Sequence, residues 1–367
     1  MDTTGIFRYQ APAGQEPRGS GESENDALMA AAALEPVLLR WRHRFSEGLI
    51  DDSGKIRNVF RRTEGVGDNV GQLIEEINRI PEAVSELETV LKARLKLEDQ
   101  SRLEAEMPVH DARLLEATSL HDNGFQLVRH RSSVTDWDDD DQLNRVYYDE
   151  ICGVVQKVTG ATHTFSSNHL RRQSEPAVGG NGPLARLMSL SRGPVNDVHN
   201  DFTESYGEGI IRTVESGGVP HTQTFGITDA ILKAGVSAQQ LREGRMLVVN
   251  TWRAVTDEPV QRVPLAVADR NSIPRASLRS ILIGKIPSGQ PRGGIDIYNA
   301  SYDSQHQWYY YPGMTRDEVL MWKGYDSAEV PARPNLHSAF DDPNTRDLAT
   351  ERKSIEVRVL CLLPRDH

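Results

Sequence analysis

One stretch near the N-terminus carries apolar residues at helical spacing. They recur at intervals of four and three residues: Leu73, Ile77, Ile80, Val84, Leu87 and Leu91. This period predicts an apolar helical stripe, which Pro81 divides into two consecutive helices. Because such a stripe usually packs on its own protein, we expect residues 27–108 to form a helical segment that packs on the remainder of the chain. A homodimer interface is the alternative interpretation.

The pattern changes to short β-rich runs beyond residue 110. These runs lie between Gly, Pro, Asn and Asp residues, at Gly124–Val128, His163–Ser166, Arg245–Val255, Pro264–Ala268, Ser280–Ile286, Val319–Trp322 and Ile355–Leu363. One helix is predicted near Thr228–Glu243, with Thr228 or Asp229 as its cap. Many short strands without regular helices between them predict a sandwich or barrel of the jelly-roll kind over residues 109–367. The expected fold class is therefore mainly β with α (α+β).

Composition and charge narrow the class of protein. Residues 1–26 are polar and rich in Gly, Pro, Ser and Glu, which predicts a disordered leader rather than a secretory signal. The net charge of −11 argues against nucleic acid or an anionic membrane as the main partner, because both favour a basic surface. Cys152 and Cys361 lie far apart without a CxxC spacing, so a disulfide framework or structural zinc site is not expected. A reducing, cytoplasmic compartment fits this usage.

The segment His199-Asn200-Asp201 is the first candidate for chemistry. Side chains two residues apart on a strand point to the same face, so this imidazole and this carboxylate can reach one metal. One distant histidine would complete a set of two histidines and one carboxylate on one face of an octahedron. The three remaining positions would admit a bidentate co-substrate and dioxygen, as non-haem iron(II) oxygenases require. Asp197 is a rival carboxylate on the same face, and a solvated turn is the alternative for the tripeptide alone.

The C-terminal region supplies a third ligand and a candidate anion site. His337 opens a predicted strand, and Arg352-x-Ser354 begins the last strand. Alternation places Arg352, Ser354, Glu356 and Arg358 on one face of that strand. The planar guanidinium of an arginine suits the distal carboxylate of 2-oxoglutarate, and a serine two residues on can add a hydrogen bond. The alternative is that Arg352 and Arg358 form surface ion pairs with neighbouring glutamates.

These motifs occur in order together with several others. They are His199-x-Asp201-x-Thr203, Val249-Asn250-Thr251-Trp252-Arg253, Pro264-Leu265-Ala266-x-x-Asp269, Gln307-Trp308-Tyr309-Tyr310-Tyr311-Pro312, Asp317-Glu318-Val319, Lys323-x-Tyr325-Asp326-Ser327, His337-x-Ala339-Phe340 and Arg352-x-Ser354-Ile355-Glu356-x-Arg358. Together they resemble the hydroxylase/desaturase family of non-haem iron(II)/2-oxoglutarate oxygenases related to the cephalosporin 7α-methoxylase component, which includes AsaB-like and TqaL-like enzymes. The resemblance covers residues 110–364.

The resemblance implies a fold and a set of ligands. The fold is a double-stranded β-helix (jelly roll, cupin-like), with iron(II) bound by His199, Asp201 and His337. The co-substrates are O2 and 2-oxoglutarate, and the residues expected at 2-oxoglutarate are Arg352, Ser354 and Arg358. The residues of these motifs expected at the substrate are Asn250, Trp252 and Arg253. Arg172 is also expected there, because His169-Leu170-Arg171-Arg172 could present arginines to a substrate carboxylate, although a solvated basic pair is the alternative. The family usually has Pro after the arginine that corresponds to Arg253, whereas this chain has Ala254.

The activity implied by the resemblance is that of a 2-oxoglutarate-dependent dioxygenase acting on a small specialised metabolite. Hydroxylation, desaturation and oxidative cyclisation all fit, because each begins with removal of a substrate hydrogen. Three alternatives stay open: an oxidase of this fold that does not use 2-oxoglutarate, a cupin-type metal-dependent isomerase or hydrolase, and a non-catalytic β-sandwich binding module. Succinate formation would distinguish the first interpretation from the others.

Overall fold

The computed structural model describes residues 2–10, 37, 39–45, 77, 79–87, 89, 102–173, 194–218, 226–283, 295–345 and 352–365. The chain divides into two compact units. One unit comprises Met1–Pro12, Leu103–Ser174 and Pro194–His367, and the other comprises Ala13–Arg102 and Glu175–Gly193. The first unit contains the candidate site residues named above.

Fourteen strands and five α-helices are described. The strands are β1 Thr3–Gln10, β2 Arg102–Asp111, β3 Phe125–Arg129, β4 His163–Ser166, β5 Leu170–Gln173, β6 His199–Asn200, β7 Arg245–Ala254, β8 Leu265–Ala268, β9 Leu278–Ile283, β10 Ile295–Ala300, β11 Trp308–Tyr310, β12 Glu318–Asp326, β13 His337–Ala339 and β14 Lys353–Leu363. The helices are α1 Asp140–Gln142, α2 Tyr148–Thr159, α3 Tyr206–Glu215, α4 Ile227–Lys233 and α5 Ala238–Glu243. A π-helical segment, Leu143–Tyr147, joins α1 to α2.

The strands form two sheets. The larger sheet has the order β1-β2-β11-β8-β13-β6-β10-β9, and the smaller has the order β3-β12-β7-β14-β4, with β5 also paired to β14. β7 and β14 are antiparallel neighbours over their whole length, from Ser354 opposite Ala254 to Leu363 opposite Arg245. Strand β6 lies between β13 and β10 in the larger sheet, which places the His199 segment inside that sheet.

The two faces of the smaller sheet differ in chemistry. On one face Ile355, Val357 and Val359 of β14 belong to a core cluster with Ile151 and Val155 of helix α2. This confirms the predicted apolar face of the last strand. The opposite face carries Ser354, Glu356 and Arg358, which are buried as well. Because buried charged groups need partners, this second face points to a polar interior site.

Most of the predicted strands are present, and the predicted helix differs in detail. His163–Ser166 agrees with β4, and the other runs agree with β3, β7, β8, β9, β12 and β14 within a few residues. The helix expected near Thr228–Glu243 is divided into α4 and α5, because Gly235 adopts a left-handed conformation (φ +69°). The predicted cap at Thr228 or Asp229 is wrong, since α4 is capped by Gly226. Helices α2 and α3 were not predicted.

The expectation of a disordered leader is wrong over its first residues. Thr3–Gln10 form β1, and Phe7 and Tyr9 are fully buried. The polar composition of residues 1–26 predicts disorder, but burial of these two aromatic rings stabilises a strand at residues 3–10. Residues 11–26 lie outside the described residues.

The predicted apolar stripe falls in the second unit. Residues 81–87 are helical, and Ile77, Ile80 and Leu87 are buried. Leu73 and Leu91 lie outside the described residues. That the stripe packs on the sheets remains a prediction. Among the helices that the structure describes, none is long and apolar enough to cross a membrane.

Candidate metal centre and anion site

Three buried side chains converge where β6 meets β13. His199 and His337 are directly opposite each other in the antiparallel pairing of these strands, and their ring centroids are 4.1 Å apart. Asp201 follows β6 and lies on the same side as His199. One potential ligand atom from each of these three residues lies within 4.8 Å of the other two. The distant histidine and the His-x-Asp motif are therefore brought together as the sequence predicts.

The orientation of His199 is set by a backbone contact. Its Nδ1 lies 2.7 Å from the carbonyl oxygen of Asp197, so Nδ1 carries the proton and donates. Nε2 faces the Oδ1 atom of Asp201 at 3.8 Å. The Asp197 side chain is directed to Arg8, with Arg8 Nε 3.8 Å from Asp197 Oδ1. Asp197 is thus not a member of the cluster, and its contribution to the site is its carbonyl group.

The two oxygens of Asp201 have different surroundings. Oδ2 accepts hydrogen bonds from Asn250 Nδ2 at 2.6 Å and from Arg358 Nε at 2.8 Å. Burial raises the pKa of the Asp201 carboxyl, but the charge of Arg358 and the hydrogen bond that Arg358 donates act in the opposite direction, and the pKa lies below its usual range. The carboxylate is therefore ionised, and Oδ1 is the oxygen turned toward His199.

The chemistry of this donor set fits a divalent metal such as iron(II). Burial lowers the pKa of His337 well below its usual value, and the neighbouring His199 adds to the effect. A neutral imidazole is the form that binds a metal. Nδ1 of His337 is buried and has no hydrogen-bond partner among the described residues. Two imidazoles and one carboxylate are the ligand set of non-haem iron(II) oxygenases.

A second cluster, of positive charge, lies at the start of β14. Arg352 is 2% exposed and contacts neutral groups: its Nη1 lies 2.6 Å from the Val263 carbonyl oxygen and its Nε 3.3 Å from Ser354 Oγ. Its guanidinium lies over the ring of Trp252, 5.1 Å from the centroid. Burial and the charge of Arg172 lower the pKa of Arg352 to about 9, although Glu356 raises it. Arg172 lies opposite Ser354 in the pairing of β5 with β14.

Arg358 has a different environment from Arg352 on the same face of β14. It contacts two carboxylates, Asp201 through Nε at 2.8 Å and Glu356 through Nη2 at 3.0 Å. Burial lowers the pKa of Arg358, but Asp201 and Glu356 raise it by more, so that it lies above its usual value. The anions that Arg358 binds in the structure are thus side chains of this protein.

The residues expected at the substrate are not all on one face. Trp252 and Asn250 lie on the interior face of β7, opposite Glu356 and Arg358 of β14. Arg253 lies on the other face, where its guanidinium is over the rings of Trp137 and Tyr147 and 2.8 Å from His130 Nδ1. The structure does not bring Arg253 to the metal ligands, because successive residues of a strand point to opposite faces.

Three features of the site were missed from the sequence. One is the contact of Asn250 and Arg358 with Asp201, since motif spacing gives the face of a residue but not its partner. Another is the Asp197 carbonyl, which carries no side-chain signal. The last is Val263, which is the non-glycine residue with positive φ (45°) in the described part of the chain and whose carbonyl binds Arg352. A β-branched residue in this conformation is a strained position.

Comparisons with known proteins identify relatives of this site and fold. A family model described as "Oxidoreductase/YMDC permease-like domain" matches residues 81–362. The hydroxylase/desaturase efuI of Hormonema carpetanum is 30% identical over 284 residues, which covers 74% of this chain and 86% of efuI. The alpha-ketoglutarate-dependent dioxygenase phiK of a fungal species is 29% identical over 252 residues, which covers 66% of this chain and 78% of phiK.

A solved structure is similar as well. It is that of the iron and alpha-ketoglutarate-dependent endoperoxidase NvfI, with a TM-score of 0.57 and 25% identity, covering 72% of this chain and 88% of that chain. The family match, the similar enzymes and the buried His-Asp-His cluster agree with one another. The chain therefore belongs to the hydroxylase/desaturase family of iron(II)- and 2-oxoglutarate-dependent oxygenases, an oxidoreductase that uses Fe(II), 2-oxoglutarate and O2.

Proposed function

We propose that this protein oxidises a small specialised metabolite at an iron(II) centre held by His199, Asp201 and His337, with 2-oxoglutarate bound through Arg352 and Ser354. The observation that carries the proposal is the pairing of a buried His-Asp-His cluster with a separate buried cation. The proposed architecture around them is a double-stranded β-helix. The reaction is hydroxylation, desaturation or oxidative ring closure.

Each of the three proposed metal ligands would supply one atom to the ion. The Asp201 Oδ2 atom is occupied by Asn250 and Arg358, so Asp201 offers one oxygen to the metal. With one nitrogen from each histidine, the protein supplies three ligands on one side. Such a triad leaves the remaining positions of an octahedral ion for 2-oxoglutarate and O2. The bound metal and 2-oxoglutarate supply the oxidising power for removal of a substrate hydrogen.

Arg352 is the proposed anchor for the distal carboxylate of 2-oxoglutarate. The Arg352 side chain is almost fully buried beside the Ser354 hydroxyl, and a carboxylate of 2-oxoglutarate at this place would compensate the charge of its guanidinium. Arg172 contributes a second positive charge to the same region, because it lowers the pKa of both Arg352 and His337. Two guanidinium groups fit a dianionic co-substrate better than a neutral one. Ser354 adds a hydroxyl at the same place.

Arg358 is assigned a different role in this proposal. Its contacts with Asp201 and Glu356 favour a function in orienting the metal-binding carboxylate over direct binding of 2-oxoglutarate. Asn250 shares that function through its bond to the same oxygen. Trp252 and Arg172 remain proposed for the substrate side of the site, whereas the position of Arg253 does not support such a role.

The choice between oxidative decarboxylation and other metal chemistry is tested by product analysis. Anaerobically purified protein is loaded with Fe(II), given 2-oxoglutarate and O2, and assayed for succinate. We expect succinate from the parent protein and none above background from His337→Ala, because the variant lacks one metal ligand. A parent protein that binds iron but forms no succinate with any candidate substrate or without one would contradict the proposal and favour a Lewis-acid isomerase or hydrolase.

A further inference from the structure

Strand β1 lies outside the residues that the family model matches, which begin at residue 81, yet it contacts both segments that carry the proposed metal ligands. Apart from its place beside β2 in the sheet, it forms bridges to three other segments. Arg8 pairs with Asp197, Ile6 with Asp341 and Gln10 with Ser301. Asp197 is two residues before His199, and Asp341 is four residues after His337. An N-terminal strand thus touches the chain on both sides of the metal cluster.

Two backbone hydrogen bonds fix the segment before His199. The Arg8 N–H donates to the Asn196 carbonyl at 3.3 Å, and the Val198 N–H donates to the Arg8 carbonyl at 2.9 Å. These bonds enclose Asp197, whose own carbonyl accepts the hydrogen bond from His199 Nδ1. The Arg8 guanidinium lies 3.8 Å from the Asp197 carboxylate. The peptide group that sets the His199 ring is therefore held in place by Arg8.

Aromatic packing fixes β1 on the other side. Phe7 stacks on Trp308, with ring centroids 4.3 Å apart, and on Phe340 at 5.7 Å. Phe340 is three residues after His337. The Tyr9 hydroxyl accepts a hydrogen bond from Trp308 Nε1 at 2.9 Å. At Gly5, a Cβ atom would lie 2.6 Å from the Phe340 ring, so β1 packs directly against this segment.

We propose that β1 is a positioning element of the iron centre, and that Arg8 acts through Asp197 to orient His199. The inference rests on the proposed assignment of iron to His199, Asp201 and His337. Strand β1 contacts the backbone before His199 and after His337, so metal binding and the packing of β1 against these segments are coupled. By thermodynamic reciprocity, iron stabilises β1 to the same extent that β1 strengthens iron binding.

Hydrogen exchange of the full-length protein tests this coupling without reference to turnover. Exchange in peptides from residues 3–10 and 195–198 is compared between the chelator-treated protein and the protein loaded with Fe(II) under anaerobic conditions. We expect slower exchange of both peptides when iron is bound. The peptide containing β3, which is at the end of the other sheet, is the internal reference and should change less.

Affinity measurements test the role of Arg8. Arg8→Ala should weaken Fe(II) binding about threefold to fivefold, because it removes a partly exposed ion pair that acts on the metal ligand only through Asp197. Asp197→Ala keeps the carbonyl group and should cause a similar loss, and the double variant should lose no more than either single one. Arg8→Lys should restore most of the affinity. Arg242→Gln, which breaks an exposed ion pair with Glu215, is the matched control and should bind iron like the parent.

The outcomes separate this inference from the assignment on which it rests. Equal exchange of residues 3–10 with and without iron, or parental iron affinity in Arg8→Ala, would overturn the positioning role of β1. If His199→Ala binds Fe(II) as tightly as the parent, the iron site itself is misassigned. Melting temperatures of the metal-free variants are measured alongside, and we expect Arg8→Ala to melt close to the parent.

Discussion

Arg352 and Arg358 are identical residues on one face of the last strand, but they have different contacts. They are six residues apart and both are almost fully buried. Arg358 has two carboxylates as partners, whereas Arg352 contacts a carbonyl, a hydroxyl and an indole ring. A buried cation already paired with protein carboxylates has little affinity left for a ligand anion. We therefore propose Arg352, rather than Arg358, as the partner of the ligand carboxylate.

This difference predicts that removal of Arg352 weakens the binding of 2-oxoglutarate, whereas removal of Arg358 weakens the binding of Fe(II). Arg352→Leu should weaken 2-oxoglutarate binding about 10²-fold and leave Fe(II) binding nearly unchanged, because it removes the proposed carboxylate anchor. Arg358→Leu should weaken Fe(II) binding about 10- to 100-fold, because Asp201 loses a partner that orients it. Both constants are measured by anaerobic titration, first with Fe(II) and then with 2-oxoglutarate, through the visible charge-transfer band.

Arg352→Lys is the conservative control for this prediction. It should restore only part of the 2-oxoglutarate affinity, because an ammonium group cannot bind both oxygens of a carboxylate in one plane. If Arg352→Leu titrates with 2-oxoglutarate like the parent while Arg358→Leu does not, the two roles are exchanged. If neither variant differs from the parent, 2-oxoglutarate binds elsewhere.

At the scale of single residues, the sequence predicted which residues form the site but not which of them contact one another. Motif order and alternation were sufficient to select His199, Asp201 and His337 and to place both arginines on one face. The sequence could not show which arginine meets Asp201, because that contact joins residues 157 positions apart. The role of the Asp197 carbonyl was equally hidden, since a backbone group has the same chemistry at every position.

An irregular part of β12, in the smaller sheet, contacts the segment that carries His199 and Asp201. Pairing with β7 shifts register between Lys323 and Tyr325. Gly324 lies at this bulge, and its carbonyl accepts a hydrogen bond from Asn200 Nδ2 at 3.0 Å. Asn200 lies between the two proposed ligands of the His-x-Asp motif. A bulge at this point brings the β12 backbone close to β6.

Gly324→Ala should therefore disturb the metal centre as well as the fold. A Cβ atom there would lie 2.6 Å from Asn250 Oδ1 and 2.7 Å from the Phe202 ring. Relief of these contacts must move Asn250, which holds Asp201. We expect a loss of about 1–3 kcal/mol in the free energy of unfolding, measured by chemical denaturation of the metal-free protein, and weaker Fe(II) binding.

Gly153→Ala is the matched control for this substitution. Gly153 is an exposed position of helix α2, and no atom lies within 4 Å of its Cβ position. This change should stabilise the protein by up to about 1 kcal/mol, because alanine favours a helix more than glycine does. Parental stability and parental iron affinity in Gly324→Ala would show that the bulge tolerates a side chain and that Asn250 is not displaced.

Elements with local signals were predicted well, and those with distant partners were not. Strands β4, β7 and β14 contain β-favouring residues between turn residues, and β14 also shows apolar alternation, so their local patterns are sufficient. Strand β1 was assigned to a disordered leader because its stabilising contacts, with Trp308 and Phe340, are about three hundred residues away in sequence. Helix α2 was missed although Ile151, Val155 and Val158 recur at helical spacing, because its valines and Gly153 have low helix propensity.

At the scale of the whole molecule, the sequence identified the family and the class of chemistry. The family match and the similar fungal enzymes confirm the predicted oxidoreductase and its cofactors. The division of the chain at residues 26 and 108, the packing of the N-terminal helical segment on the sheets and a homodimer remain predictions. Substrate identity also lies beyond a pattern of shared motifs, because similar proteins bear the names of different oxidative reactions.

The most direct test of the central claim is a crystal structure of the anaerobic Fe(II)–2-oxoglutarate complex, with anomalous scattering recorded at the iron absorption edge. We expect one anomalous peak about 2.0–2.3 Å from His199 Nε2, from Asp201 Oδ1 and from a ring nitrogen of His337. We also expect the distal carboxylate of 2-oxoglutarate at Arg352 and Ser354. An iron peak beside Asp197, or 2-oxoglutarate held by Arg358 with Arg352 turned away, would contradict this claim.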